Sequence, residues 1–371
     1  MSDLKAFDHY LTDDGPAALV VREYLVPVEG ADGVLFPPTY APAEDAKKFA
    51  GGYNIDGDPS GKNICLIDSV GSQANRIEPI FAKEKYAKLI PQVVVEAGEK
   101  RINILEAGHR AGDALVRCSE LKQLLQQAFK QVLKGDATAL AKVAPTSLVF
   151  GVWDSRDTQA KLPRVVASTI RAFDVRRLTR SAQFNPAAEF VNDKLLDEPT
   201  DKKTRDDYAA RGFIHVPASG SHGGVIATGG VRRDATLGLA ALRLLAGGDA
   251  AKTLALRRYI LGLSLVAVTY NPSGYLRQGC LLVLDAEKPR EFKEVHPSGE
   301  RKDAAVTHDA ALAYAAAAAA AFGVGEDRPV KFDAELAKRD IKGEGDVKTT
   351  AAARRTRAAS TTVAPAAGTQ P

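Results

Sequence analysis

A chain of 371 residues with 45% hydrophobic content can bury a sizeable core, as one elaborated domain or as two. Its formal net charge of +4 excludes a histone-like polycation and leaves room for a localised anion-binding face. Cys65, Cys118 and Cys280 are far apart and form no CxxC pair, so neither a disulfide framework nor a cysteine zinc site is indicated and a reducing cytoplasm is expected. Met1 to Leu11 lacks a basic n-region and an apolar h-region. The apolar runs Tyr259 to Tyr270 and Ala315 to Ala321 are too short to span a bilayer, so a soluble protein without a membrane partner is expected.

In chain order, AALVVREYLVPV from Ala17 to Val28 predicts a strand. Glycine, proline and aspartate then dominate residues 30–61, which predicts a long loop or an inserted lobe. Gly57, Gly61 and Lys62 imitate a phosphate loop, but the glycine spacing is too short and Asn63 follows the lysine, so the Walker fingerprint is not met. Asp68 or Ser69 is placed to cap a helix lasting to about Phe81, whose start carries Ser72, Gln73, Asn75 and Arg76. The free N–H groups of such a start suit phosphate; an ordinary capped surface helix accounts for the same residues. Val93 to Leu105 reads as a hairpin about Ala97-Gly98-Glu99. His109 and Asp113 lack a second histidine at ligand spacing or a nearby nucleophile, so a structural pair is expected. Glu120 to Lys134 is an amphipathic helix ended by Gly135, and Ala137 to Val143 a short second one.

The stretch from Ser147 to Pro186 concentrates positive charge. Leu148 to Trp153 reads as a strand, after which Arg156, Lys161, Arg164, Arg171, Arg176, Arg177 and Arg180 outnumber Asp154, Asp157 and Asp174. Pro163 suits a first helical turn, and Val166, Ile170 and Phe173 recur at helical spacing. On such a helix Arg164, Ser168 and Arg171 share the opposite stripe, either a row of phosphate ligands or a solvated face.

Residues 189–211 are charged of both signs and poor in apolar side chains, which predicts an exposed excursion. Arg211-Gly212-Phe213 begins like an RNP1 strand, but Ile214 and His215 break the pattern. The glycines around Val225-Ile226-Ala227 contain no G-x-G-x-x-G, and His215 and His222 lack further ligands at zinc spacing. Arg232 and Arg233 precede Asp234, which is expected to cap a helix with the inner face Leu237, Ala241, Leu244 and Leu245. Two arginines at such a junction suit phosphate or stay solvated. A helix from Lys252 to about Gly262, a strand from Leu263 to Tyr270 and an Asn271-Pro272-Ser273-Gly274 turn follow. A strand near Cys280 to Leu284 and an alanine-rich helix from Asp303 to Phe322, stopped by Gly323, complete the order. Composition divides the chain into a domain over 1–342 and a disordered, mildly basic tail over 343–371.

Taken together, DSVGSQANRIEP at 68–79, AGHRAGDALVR at 107–117, FGVWDSRDTQAKLPRVVASTIRAFDV at 150–175, LTRSAQFNP at 178–186 and GGVIATGGVRRDATLGLAALRLL at 223–245 resemble the repeat-associated mysterious protein (RAMP) superfamily. The likeness is to the backbone subunit of the type I-G (formerly I-U) CRISPR Cascade surveillance complex. It covers roughly residues 15–325, and the end beyond Gly325 departs from it.

What the resemblance implies is an α+β fold, a modified ferredoxin-like (RRM-type) β-sheet palm with inserted lobes and a thumb hairpin. It implies a non-catalytic subunit without cofactor or metal, whose copies stack head to tail along a CRISPR guide RNA and present its spacer to target DNA. Other Cascade subunits, a large one and an RNA-handle-binding and processing one, and a recruited helicase-nuclease would be further partners. By resemblance, a nucleic-acid-binding role passes to Gln73, Asn75, Arg76, Arg110, Arg156, Lys161, Arg164, Ser168, Arg171, Arg180, Gln183, Arg232 and Arg233. The residue types agree, because a subunit that follows RNA of any spacer sequence contacts phosphates and 2′-hydroxyls rather than base edges. The alternative is a metal-dependent RNA endonuclease of the related type III backbone kind, with Asp154, Asp157 and Asp113 as candidates. Neighbouring arginines that would neutralise Asp154 and Asp157 favour the scaffold.

Overall fold

The computed structural model describes residues 4–58, 61–271 and 274–342. Strand β1 (Ala18–Pro27) alternates buried and half-buried residues, as its β-branched run predicts. The lobe that follows holds only short pieces, β2 (Thr39–Tyr40) paired with β3 (Gly52–Tyr53), and β4 (Ile55–Gly57) in a hairpin with β5 (Asn63–Asp68). Ser69 caps α1 (Val70–Ile77) by accepting from the Ser72 amide, and Pro79 then sits in a 3-10 turn, Glu78–Ala82. After α2 (Glu84–Ala87), β6 (Val93–Ala97) and β7 (Lys100–Asn103) form the expected hairpin, with Gly98 at φ +65°. Helices α3 (Ala114–Arg117), α4 (Lys122–Leu133), α5 (Thr138–Ala141) and α6 (Thr146–Phe150) lead to a small ribbon, β8 (Val152–Trp153) with β9 (Lys161–Leu162).

Next come β10 (Val166–Phe173), β11 (Val175–Phe184), α7 (Lys202–Ala210), β12 (Val216–Ala227) and β13 (Val231–Gly238). Strands β11 and β12 pair with each other as an arm that continues from the β10–β13 pair, with Val225 near its base also bridged to Leu35 of the lobe; α7, in the connection between them, buries no residue. Helices α8 (Leu239–Arg243) and α9 (Ala250–Thr269) precede β14 (Tyr275–Arg277), β15 (Cys280–Leu284), β16 (Glu291–Val295) and β17 (Arg301–Asp303). Helix α10 (His308–Phe322) ends at Gly323 in the left-handed conformation, and β18 (Arg328–Lys331) and α11 (Ala334–Ile341) close the described chain.

The main sheet runs β14-β15-β1-β13-β10-β5-β4, with β16 also on β1 and β17 on β16, and its pairings are antiparallel. Register sorts its side chains. Glu23, Arg233 and Ile170 stand opposite one another on one face, with Val21, Ala235 and Ser168 in the next row, and all six are buried. Helix α1 packs on β10 and α9 on β13. The other face carries the rows Tyr24, Arg232, Arg171 and Arg22, Asp234, Thr169, mostly half-buried. Deeper in the helical layer, Gly262 of α9 lets α10 approach so closely that a Cβ there would lie 2.8 Å from Ala315 Cα.

Several sequence expectations are overturned. Residues 166–173 form a strand rather than a helix, because Val166, Ser168, Ile170 and Ala172 fill one buried face at period two. Arg164, Ser168 and Arg171 therefore do not share a stripe. Thr146–Phe150 is a helix where a strand through Trp153 is expected, and Leu263 to Thr269 continues α9, enclosed on all sides, instead of forming a strand. Asp234 lies inside β13 and caps nothing; α8 starts only after Gly238, and Leu244, expected to face inward, is 81% exposed. Arg211-Gly212-Phe213, where the RNP1 pattern already fails in sequence, is a turn, and the alanine-rich helix expected from Asp303 starts at His308 after a short strand at 301–303. Pro272, Ser273 and the tail from 343 lie outside the described residues.

Candidate nucleic-acid interface

The arrangement starts at Asp68, where β5 hands over to α1. Its carboxylate, 1% exposed, accepts from Ser72 Oγ (2.8 Å), Gln73 Nε2 (2.7 Å), Arg76 Nε (3.1 Å) and Arg277 Nη2 (3.1 Å). Gln73 in turn accepts from Ser168 Oγ at 2.9 Å, so two residues assigned to nucleic acid satisfy each other inside the protein. Arg76 Nη2 donates to the Leu276 carbonyl at 2.7 Å, which ties α1 to β14. Arg233 is likewise committed: its Nε lies 2.6 Å from Glu23 Oε2, and it is 2% exposed rather than solvated.

Arg110 adopts φ +52° and buries its guanidinium with Nε 2.6 Å from Glu78 Oε2. Burial pushes the Glu78 carboxyl up to about 7 in spite of that cation, and burial, with the Arg164 charge adding to it, lowers Arg110. Arg110 Nη2 reaches Asn75 Oδ1 (3.4 Å) and Nη1 the Gly151 carbonyl (3.3 Å). Gly151 leaves room for Arg164, whose Cγ would lie 3.0 Å from a Cβ at that position. The outcome is a strip in which exposed Asn75 and Arg164 flank buried Arg110. It continues onto the β8–β9 ribbon, where Lys161 sits 5.5 Å over the ring of Trp153, 56% exposed. Arg156 is exposed in the loop of that ribbon.

Gln73, Asn75, Arg76, Arg110, Arg164, Ser168 and Arg233 are thus brought to one side of the sheet, although Gln73, Arg110, Ser168 and Arg233 are buried and serve as supports. Arg171 and Arg232 stand on the opposite face. Arg171 donates to Thr169 Oγ1 (2.7 Å); Arg232 pairs with Asp234 (2.9 Å) and covers the Phe173 ring at 4.8 Å. Arg180 and Gln183 lie on the arm beside Arg176 and Arg177, and Gln183 Nε2 faces His215 Nδ1 at 3.4 Å. Sequence spacing gives no sign of Lys83 or Tyr275 as companions of α1, because their proximity is created by the fold.

The aspartates have structural duties. Asp154 accepts from the Asp157 amide (3.3 Å) and from the Thr158 amide (2.8 Å) and hydroxyl (2.6 Å), so its own loop, not the expected arginines, satisfies it. Asp113 caps α3 through the Leu115 amide (3.0 Å) and also accepts from the His109 amide (3.2 Å). His215 contacts Asn185 and Glu189, and His222 lies against Tyr53. Among the described residues no group of three or more His, Cys, Asp or Glu side chains is placed to hold a metal. No described helix is long and apolar enough to cross a membrane.

Residues 19–177, from β1 to the start of β11, match the family model described as CRISPR-associated protein GSU0053. No curated protein matches the chain.

Proposed function

From the CRISPR-associated match over residues 19–177, we propose that this chain is a non-catalytic backbone subunit of a type I-G Cascade complex in CRISPR defence. Its copies line up head to tail along a guide RNA and hold the sugar–phosphate chain while the bases pair with target DNA. The observation that carries the reading is that Arg156, Lys161, Arg164, Arg176, Arg177 and Arg180 are exposed or near the surface without an ion pair to any described residue. Cations left unneutralised in two groups, one beside α1 and one on a projecting ribbon, suit phosphate contacts at separated points of a strand. Strand order adds support. The order β15-β1-β13-β10, with α1 and α9 on one face, supports the reading of the sheet as a ferredoxin-like palm, in which the arm between β10 and β13 would be the thumb. The self-contained Asp154 loop favours scaffold over nuclease.

The test is binding of R156E/K161E/R164E protein to two RNAs of unrelated sequence across a salt series. Both affinities are expected to fall alike, by roughly tenfold or more, and the slope of log K against log salt to shrink by about 2, at about 0.7 per phosphate contact on a single strand. Unchanged affinity for both RNAs rejects the strip as the interface.

A further inference from the structure

A cavity of about 600 Å³ opens between α1 and the β14–β15 end of the sheet. Charge around it is out of balance. Among the described residues Glu23, 4% exposed, is the one carboxylate paired with both Arg233 (2.6 Å) and Arg290 (3.1 Å). Asp68 likewise serves Arg76 and Arg277, each at 3.1 Å. Two buried carboxylates therefore face four guanidiniums, and Lys83 adds a further cation to the wall.

The surplus has a focus. Arg233 lines the cavity, and neither its Nη1 nor its Nη2 has a hydrogen-bond partner among the described residues; Arg277 Nη1 is in the same condition. Buried donors of this kind carry a desolvation penalty that an anion placed beside them removes. Leu25, Ile77, Leu276 and Leu282 make much of the remaining lining apolar, with the Tyr275 ring at the mouth. One cationic end, one flat apolar wall and this volume suit a phosphate joined to a planar ring.

We propose that this cavity is a binding site for a single nucleotide unit, its phosphate toward Arg233 and Arg76 and its base against Tyr275 and the aliphatic wall. The inference does not rest on the reading above, because of the strip only Asn75 reaches the cavity wall, and Arg156, Lys161, Arg164 and the arm's arginines do not line it. The unit is either one nucleotide of a bound RNA or a free mononucleotide, and the chemistry of recognition is the same.

Calorimetry on full-length protein stripped of nucleic acid tests this with AMP, inorganic phosphate and adenosine as probes. AMP is expected to bind, with phosphate and adenosine each at least tenfold weaker. Lys83→Glu on the wall and Leu284→Trp, which narrows the mouth from a half-exposed position, are each expected to weaken AMP at least tenfold without lowering the melting temperature. Competition between AMP and a short RNA assigns the site to the RNA strand, and simultaneous binding assigns it to a free nucleotide. AMP binding no better than adenosine and phosphate, or unchanged in both variants, overturns the proposal. The R156E/K161E/R164E protein is expected to keep its AMP affinity, so this site and the strip fail separately.

Discussion

Asp68 shows how much one buried carboxylate can organise: it orients Ser72, Gln73 and Arg76 along α1 and draws Arg277 in from β14. Asp68→Asn keeps the shape and removes the charge, leaving two guanidiniums without their anion. A loss of about 3 kcal/mol in unfolding free energy is expected by denaturant titration, within the range for breaking buried pairs. A variant as stable as the parent would mean that the arginines are held by their other contacts. Glu78 makes a pH prediction. Its carboxyl is raised from 4.5 to about 7 by burial, so between those values the folded state holds the proton more firmly than the unfolded chain. The associated stability is present in full below about 4.5 and lost as pH rises through about 7, on the order of 3 kcal/mol. Glu78→Gln, which cannot ionise, is expected to flatten that decline, and equal slopes for both proteins would contradict it. Ser168, Arg110 and Arg233 explain why the sequence misleads at this scale. Side-chain chemistry is visible in a sequence, but the partner that consumes it, Gln73, Glu78 or Glu23, comes from far along the chain.

At the scale of elements, the arm is the clearest separable unit. Phe184 pairs with Val216, and the residues between them include α7 without a buried side chain. Replacing 185–215 by Asn-Gly closes the ribbon with a two-residue turn, and a change in stability under about 1 kcal/mol is expected by thermal unfolding. A large loss would show that the connection packs on the body. Helix α4, the β6–β7 hairpin and β1 are legible in the sequence because each has one buried and one wet face, which prints its period. Where that contrast fails, the reading fails. In β10 a buried Ser168 breaks the apolar alternation, so the accidental spacing of Val166, Ile170 and Phe173 imitates a helix. In α9, burial on every side from Tyr259 to Thr269 erases any period, and its β-branched end imitates a strand.

For the whole molecule, a mixed α and β architecture and a basic centre are apparent from composition and patterning, but the assignment of cations to faces is not. One residue of register moves an arginine from one side of a sheet to the other, and this is what separates Arg171 and Arg232 from the strip around Arg164. The division bears on assembly. A single subunit offers two cation groups, beside α1 and on the arm, and a subunit gripping RNA with both occupies a fixed length of strand. Further copies then add only as the strand lengthens, each contact between neighbours being heterologous. On RNAs of increasing length, mass photometry is therefore expected to show steps of 39.5 kDa, with monomers alone when RNA is absent. Reversing Arg176, Arg177 and Arg180 to glutamate is expected to weaken RNA binding and blur the steps, since one of the two grips is lost, while leaving the fold intact because these residues make no ion pair with any described residue. Saturation at one copy on the longest RNA would leave an RNA-binding protein but remove the head-to-tail array.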